Sequence, residues 1–501
     1  MGRKYALLAV VLAFCAFPTA QAQDSFDEYV RKKKQDFGNY VKEKEQRFDE
    51  YRRQRNQEFA RYMGQKWEQY QGQKPITLPK EKEVPPRPYD ERRDGKQENR
   101  QIEAVVVPIR QTPMPQPKPV DPIEENNLST QRGQFVFYGT KMGIRWGKVG
   151  NLSLKSVDEK EVARVFLQMT DKEYTDLMAD CLELRRQYQL CDWAYYKMTE
   201  TMARAAYGGK DCNEAVLLQG VVLSQSGYKL RFASDRQKGR LYLLMRVQSD
   251  PIDCSCFKIA GESFYVLDGK KVSSLYILNR VYPGEQAMSL NIDRLPTLSQ
   301  QPTPSRPLKT NLINVSSSVN KNLISFFNDY PRSCNDNNFM TRWAYYANAP
   351  VSPEVRKYVY PVLRERIAGQ DEMMAVSMLL EWVQQCFPYA YDDQVWHTDR
   401  AFFAEESLFY PGSDCEDHAI LFSQLVRDLV GLDVCLVYTQ NQKNEGHLLT
   451  AIGFNSEVKG HSVTVGGKRF VMADPTWSNY PVGRIGSEFY NYKPSVILLK
   501  R

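Results

Sequence analysis

From Phe26 the apolar positions recur every eleven residues, in the blocks FDEYVRKKKQD, FGNYVKEKEQR, FDEYRRQRNQE and FARYMGQKWEQ. Phe26, Phe37, Phe48 and Phe59 keep step, and Tyr29, Tyr40, Tyr51 and Tyr62 follow each Phe by three places. Eleven residues make very nearly three helical turns. The spacing therefore predicts one long helix over residues 23–72, with an aromatic stripe on one side and Lys, Arg, Glu and Gln on the rest. Such a stripe suits self-association through residues 26–70, docking to a partner or envelope surface, or a helix folded back on its own chain.

Residues 73–132 lose this periodicity. They are rich in Pro and charge (LPKEKEVPPRPYDERRDGKQENR, then PMPQPKPVDP). Pro donates to no helix or sheet ladder, and few apolar side chains are present to offset the ordering entropy, so the segment reads as a partly extended linker. Within it, the run from Ile102 to Ile109 reads as a short strand that docks on a neighbour. Apolar patterning returns near Gln134. A second Pro-rich stretch, LPTLSQQPTPSRPLK from Leu295, forms a linker at 295–310 and divides the rest into globular parts at 133–294 and 311–501.

In the last part, Gly-Ser-Asp precedes Cys415, and apolar residues then follow at helical spacing (Ala419, Phe422, Leu425, Val426, Leu429) as far as Gly431. This predicts a helix that starts at or beside Cys415 and stops at a left-handed Gly. Strand-like runs follow: DVCLVY, HLLTAIGF, and SVTV joined to KRFVMAD by Gly466-Gly467, a pair suited to a two-residue hairpin turn. His447 opens the second run and Asp474 closes the last. The dipole and free N–H groups of a helix start favour a thiolate at Cys415. Glu416 and Asp417 oppose it, so a partner base is needed.

Composition changes the picture in four ways. The 501 residues carry a net charge of +7, but the charges are interleaved rather than clustered, which argues against nucleic acid as the main partner. Arg3 and Lys4, the apolar run Ala6–Phe17, Pro18 and Ala20-Gln21-Ala22 read as an export signal over residues 1–22. Lipid attachment at Cys15 is disfavoured by the bulky Phe14. No later run reaches the roughly 20 apolar residues of a bilayer span, so the mature chain is expected outside the cytoplasm, periplasmic or envelope-associated in a Gram-negative cell. Nine cysteines remain after the signal, at 181, 191, 212, 254, 256, 334, 386, 415 and 435. An odd number leaves at least one unpaired, and neither their spacing nor the four His suggests a metal site; no cofactor is expected.

The motifs DCED (414–417), EGHLLTAIGF (445–454) and FVMADPTW (470–477), in this order, resemble the transglutaminase-like superfamily, whose papain-related core packs a Cys-bearing helix on an antiparallel sheet carrying His and then Asp. The resemblance covers residues 405–486. It implies an α+β fold in which Cys415 attacks an acyl carbon, His447 moves the proton and Asp474 orients the imidazole. The Cys415 N–H with Gln394 or Trp396 would hold the oxyanion, and Trp477 would support the site. His418, in the Cys415 helix, reads as structural; His397 and His461 read as solvated, and Cys435 as strand core.

The middle part contains KDCNEAVLLQGVVLSQSGYKLRFA, then GRLYLLMRV and SFYVLD, which repeats the order of Asp-Cys, apolar helix, Gly, strand, strand and Asp. This suggests a degenerate second transglutaminase-like copy. It retains Cys212 and Asp268 but has Arg240 or Tyr242 where the His should be, and therefore no base. The leading expectation is a secreted thiol enzyme that acts on amide bonds of a peptide, protein or envelope substrate through a thioester acyl-enzyme. A non-catalytic envelope scaffold and a protein cross-linking acyltransferase are the alternatives.

Overall fold

The aromatic repeat folds as a single helix, α1 (Ala20–Met63), in a computed structural model that describes residues 20–79, 82–95, 99–109, 116–118, 132–170, 175–278 and 284–499. The expected export signal lies outside the described residues apart from Ala20–Ala22, which open α1. No helix among the described residues is long and apolar enough to cross a membrane.

The stripe on α1 divides. Phe59, Ala60 and Met63 are buried, and the Phe59 ring lies 5.1 Å from Phe166. Phe37, Tyr40 and Tyr51 are 69%, 56% and 58% exposed. The last repeat thus folds back on its own chain, while Phe37, Tyr40 and Tyr51 face solvent. The helix ends well before residue 72 because buried Trp67, whose indole N–H donates to Met63 O at 2.9 Å, turns the chain into the sheet edge strand β1 (Glu68–Gln71).

Where described, the first Pro-rich stretch begins against the middle part, with Gln73 N–H donating to Cys256 O and Asp253 N–H to Ile76 O, and then contributes β2 (Lys82–Glu83) and β3 (Val105–Val106) to the C-terminal sheet. The second, expected as a linker at 295–310, also holds structure. Its strand Arg306–Lys309 pairs antiparallel with Asn314–Ser317, and Leu308 is buried.

The two globular parts follow one plan. The middle part places α2 (Asp192–Ala206) and α3 (Asn213–Gln225) beside β4 (Leu230–Asp235), β5 (Arg240–Met245), β6 (Ser255–Ile259), β7 (Glu262–Val266) and β8 (Ser274–Ile277). Its sheet order is β1-β8-β4-β5-β7-β6. The C-terminal part places α4 (Glu372–Cys386) and α5 (Cys415–Leu425) beside β9 (Asp433–Gln440), β10 (Glu445–Gly453), β11 (Ser462–Val465), β12 (Lys468–Ala473) and β13 (Ser495–Leu498). Its order is β3-β13-β9-β10-β12-β11. The orders correspond strand for strand, down to an edge strand recruited from upstream in the chain. That edge strand is antiparallel to its neighbour in the middle sheet and parallel in the C-terminal one.

Every residue of α5 is buried. Each Leu, Ile or Phe so placed contributes about 1.5–3 kcal/mol, which an isolated eleven-residue helix needs because propensity alone leaves it marginal. The chain then winds through a wider turn to Gly431, whose φ of 77° stops the helix. Gly466 and Gly467, with φ of 57° and 81°, form the β11–β12 turn.

Candidate active site

Cys415, His447 and Asp474 lie on three separate elements, with His447 bonded to Asp474 and the N–H of its neighbour Leu448 bonded to Cys415. Cys415 is the first residue of α5, with Asp414 as its extended N-cap. Asp417, one turn on, accepts from Phe402 N–H at 2.7 Å and Asp414 N–H at 3.3 Å, tying the helix start to the loop before it. His447 lies near the start of β10, and the next N–H, that of Leu448, donates to Cys415 Sγ at 3.5 Å. Asp474 follows β12. Its Oδ2 is 2.9 Å from His447 Nε2, and its Oδ1 accepts from Thr476 N–H at 3.0 Å, a local turn that aims the carboxylate. Phe489 stacks on the imidazole at 5.3 Å and 7°, and Trp477 lies at 5.2 Å. From α4, the Gln384 amide donates to Asp474 O at 2.8 Å and Tyr480 O at 2.9 Å, fixing the loop that carries both rings.

Electrostatically the resting thiol is disfavoured as an anion. Cys415 is 3% exposed. Burial pushes its thiol well above the ordinary range, followed by the charges of Glu416, Glu83 and Asp414, with the Leu448 N–H acting the other way. The helix-start effect expected from the sequence is therefore outweighed. The thiol hydrogen donates to Glu416 Oε2 at 3.4 Å.

A nest of buried carboxylates surrounds the thiol. Burial, then Glu416, raises Glu83, Asp392 and Asp414; for Asp417 burial is followed by Asp392. Oxygens of Asp392, Asp414 and Asp417 lie within 4.8 Å of one another, as do those of Asp392, Asp399 and Glu416. Among the described residues no group hydrogen-bonds either Asp414 carboxylate oxygen. Hard oxygen donors of this type suit a divalent cation such as Ca²⁺. Cys and His spacing gave no hint of them, because the set is assembled from the 392–399 and 414–417 segments.

Other residues singled out from the sequence fall elsewhere. Gln394 is exposed on a short turn of helix, Asp392–Val395. Trp396 packs edge-on against Tyr410 and Phe402 at 4.8 and 5.8 Å, beneath the Arg400 guanidinium; its place is in that stack. His418 is buried, with Nε2 3.0 Å from Phe387 O, and burial pulls its pKa down to about 4. His397 is exposed, but His461, expected in solvent, is buried with its ring 4.9 Å from Tyr490 because β3's upstream segment covers that edge. Cys435 is strand core. Tyr389, Glu83, Gln384 and Phe489 were missed. They come from three distant segments, around 83, 384–389 and 489, and only the Gln within an apolar helix was a visible signal.

The middle part shifts the correspondence by one residue. Leu241 N–H donates to Asn213 Oδ1 at 2.9 Å, as Leu448 N–H does to Cys415 Sγ. Asn213 and Cys415 are each the first residue of their helix, and Cys212 is an N-cap like Asp414. Asn213, not Cys212, therefore holds the thiol's place, and Arg240 holds that of His447. Asp268 accepts from Lys270 N–H at 3.1 Å, as Asp474 does from Thr476 N–H, and pairs with Lys270 Nζ at 2.7 Å. Arg240 pairs with Asp211. Among the described residues all nine cysteines are free.

No family model matches the chain, and no curated protein matches it.

Proposed function

We propose that this protein is an exported thiol enzyme of the transglutaminase-like superfamily, acting on amide bonds in a peptide, protein or envelope substrate. The observation that carries this reading is the His447–Asp474 hydrogen bond of 2.9 Å set one residue from the N–H that contacts Cys415 Sγ. In the reaction, His447 takes the thiol proton through Nδ1, the ring nitrogen that does not face Asp474. The thiolate adds to the amide carbon, and the proton passes to the leaving amine as the C–N bond breaks. Water then hydrolyses the thioester; transfer to an amine would make the protein a cross-linker. Asp474 holds Nε2–H and so fixes the tautomer. The middle part is read as a duplicated, base-free copy, which the shared strand order supports. The Arg-Lys start, apolar run and Ala-Gln-Ala site support export to the periplasm or envelope.

Alkylation by iodoacetamide, followed at Cys415 by peptide mass spectrometry, tests the reading. Labelling that falls by about 10²-fold or more in His447→Ala is expected, in line with the usual worth of a positioned base. Identical labelling of wild type and His447→Ala removes it.

A second reading, a non-catalytic envelope scaffold, is favoured by one observation: Phe37, Tyr40 and Tyr51 line an exposed stripe on α1. Light scattering on a truncated chain separates the two readings.

A further inference from the structure

The upstream chain runs across the candidate site. β2 pairs in parallel with the first residues of β10, Lys82 opposite Glu445 and Glu83 opposite Gly446. Val84 N–H then donates to Gly446 O at 3.0 Å. The slot exists because β12 stops short: its pairing with β10 covers Ile452 to Thr450 and ends where Asp474 turns away. That leaves unpaired β10 backbone immediately before His447, and side-chain-free Gly446 allows another backbone to approach closely. A row of free backbone donors and acceptors beside a nucleophile is where an extended peptide binds by strand addition.

The occupying segment is held at both ends of this contact. Glu83 accepts from Tyr389 O–H, and its carboxylate adds to the charge that opposes a Cys415 thiolate. Val84 is buried. Pro85, Pro86 and Pro88 lack N–H donors and continue the chain extended, so strand pairing ends at Val84. Arg87 then forms a clasp. Its guanidinium donates to both oxygens of Asp94 at 2.7 Å and to Glu488 at 3.0 and 2.5 Å, and it lies 4.8 Å over the Trp477 ring. Buried Asp94 also accepts from Tyr480 O–H at 2.8 Å and Ser487 N–H at 3.0 Å. The clasp thereby fastens the segment to the 477–490 loop, whose Trp477 and Phe489 pack on His447.

Resting on the thiol-enzyme reading above, we infer that Lys82–Val84 fills the substrate slot of the Cys415 site as a built-in competitor. The substrate is an extended polypeptide laid parallel to the start of β10, and the resting protein is latent until the Arg87 clasp opens. The strap offers the thiol a side-chain carboxylate at the place where a substrate backbone would enter.

The test uses the full chain. Val84→Pro removes the N–H that bonds Gly446 O, and Arg87→Ala opens the clasp. Each is expected to speed iodoacetamide labelling of Cys415 by roughly tenfold or more, a barrier change of about 1.4 kcal/mol, and added His447→Ala cancels the gain. A synthetic peptide of residues 79–90, PKEKEVPPRPYD, added to Val84→Pro is expected to restore slow labelling, whereas a scrambled peptide leaves it fast. Should thermal melting show either variant unfolded, Arg87→Lys, which keeps the charge but loses the two-pronged contact, replaces it with a smaller gain expected. Fast, His447-dependent labelling that is the same in wild type and strap variants overturns the strap while leaving the enzyme reading intact. Labelling indifferent to His447 in every variant overturns the enzyme reading, and the strap falls with it. A scrambled peptide that protects as well as the native one overturns the slot.

Discussion

The middle and C-terminal sheets share a strand order and differ in what fills one position. In the middle part, Asn213 uses both ends of its amide, accepting from Leu241 N–H at 2.9 Å and donating to Gly239 O at 2.8 Å. Helix and strand are locked together by two ordinary hydrogen bonds. In the C-terminal part the same place holds Cys415, whose contact with Leu448 N–H is a single long one to sulfur. The surroundings differ in the same sense. Arg240 and Lys270 neutralise Asp211 and Asp268 beside a small solvent-open hollow. The C-terminal part instead sets His447 against Asp474 and places the charges of Glu416, Glu83 and Asp414 near the thiol. One strand order thus carries Asn213 at the helix start in one part and Cys415 in the other.

The largest effect expected from breaking this contrast is at the base's partner. Asp474→Asn should slow Cys415 alkylation by about 10²-fold or more by favouring the wrong tautomer, while Asp268→Asn in the middle part leaves the rate unchanged; equal effects would erase the distinction. Building the missing parts is the converse. Asn213→Cys with Arg240→His, beside the Asp268 already in place, is expected to create a second alkylated thiol. Peptide mass spectrometry finding residue 213 as inert as buried Cys181 would show that more than these side chains separates the two parts.

A smaller effect concerns pH. Burial raises the Glu406 carboxyl from 4.5 to about 7, against the opposing Arg400 charge. The folded chain therefore keeps a proton that the unfolded chain releases between those values. The stabilisation is complete below pH 4.5 and is lost as pH rises through 7. The loss is up to about 3 kcal/mol. His418 acts oppositely: its contribution is complete above 6.5 and declines as pH falls towards 4. Melting curves from pH 5 to 8 should be flatter for Glu406→Gln; unchanged slopes would refute the assignment. The smallest effect is on the separate stripe. Removing residues 24–50, which spares the buried Phe59–Trp67 end, should lower the mass by light scattering if the exposed aromatics pair chains, without moving the melting temperature by more than a degree or two.

Some of this was legible along the chain. The eleven-residue period foretold α1 because helical faces are a local geometric consequence of spacing. The helix at Cys415, its Gly431 stop and the Gly466-Gly467 turn were equally local, since each depends on backbone preferences within a few residues. Of the order Cys, His, Asp, the structure pairs His447 with Asp474 directly and reaches Cys415 through the N–H of the next residue, Leu448. Matching Cys212 to Cys415 failed by one residue because sequence similarity aligned the cysteines, whereas the N1 position of each helix aligns Asn213 with Cys415.

By itself, then, the chain determined the long helix α1, the helix at Cys415 and the turns at Gly431 and Gly466-Gly467, and it marked Cys415, His447 and Asp474 as candidates. Tertiary structure alone decided their state. The pKa of Cys415 depends on desolvation and on charges from Glu83 and Asp414 as well as its neighbour Glu416, and the coverage of the site depends on a Pro-rich segment more than 300 residues upstream. Burial and long-range charge are properties of the packed assembly, and they leave no period or motif in the sequence from which to read them.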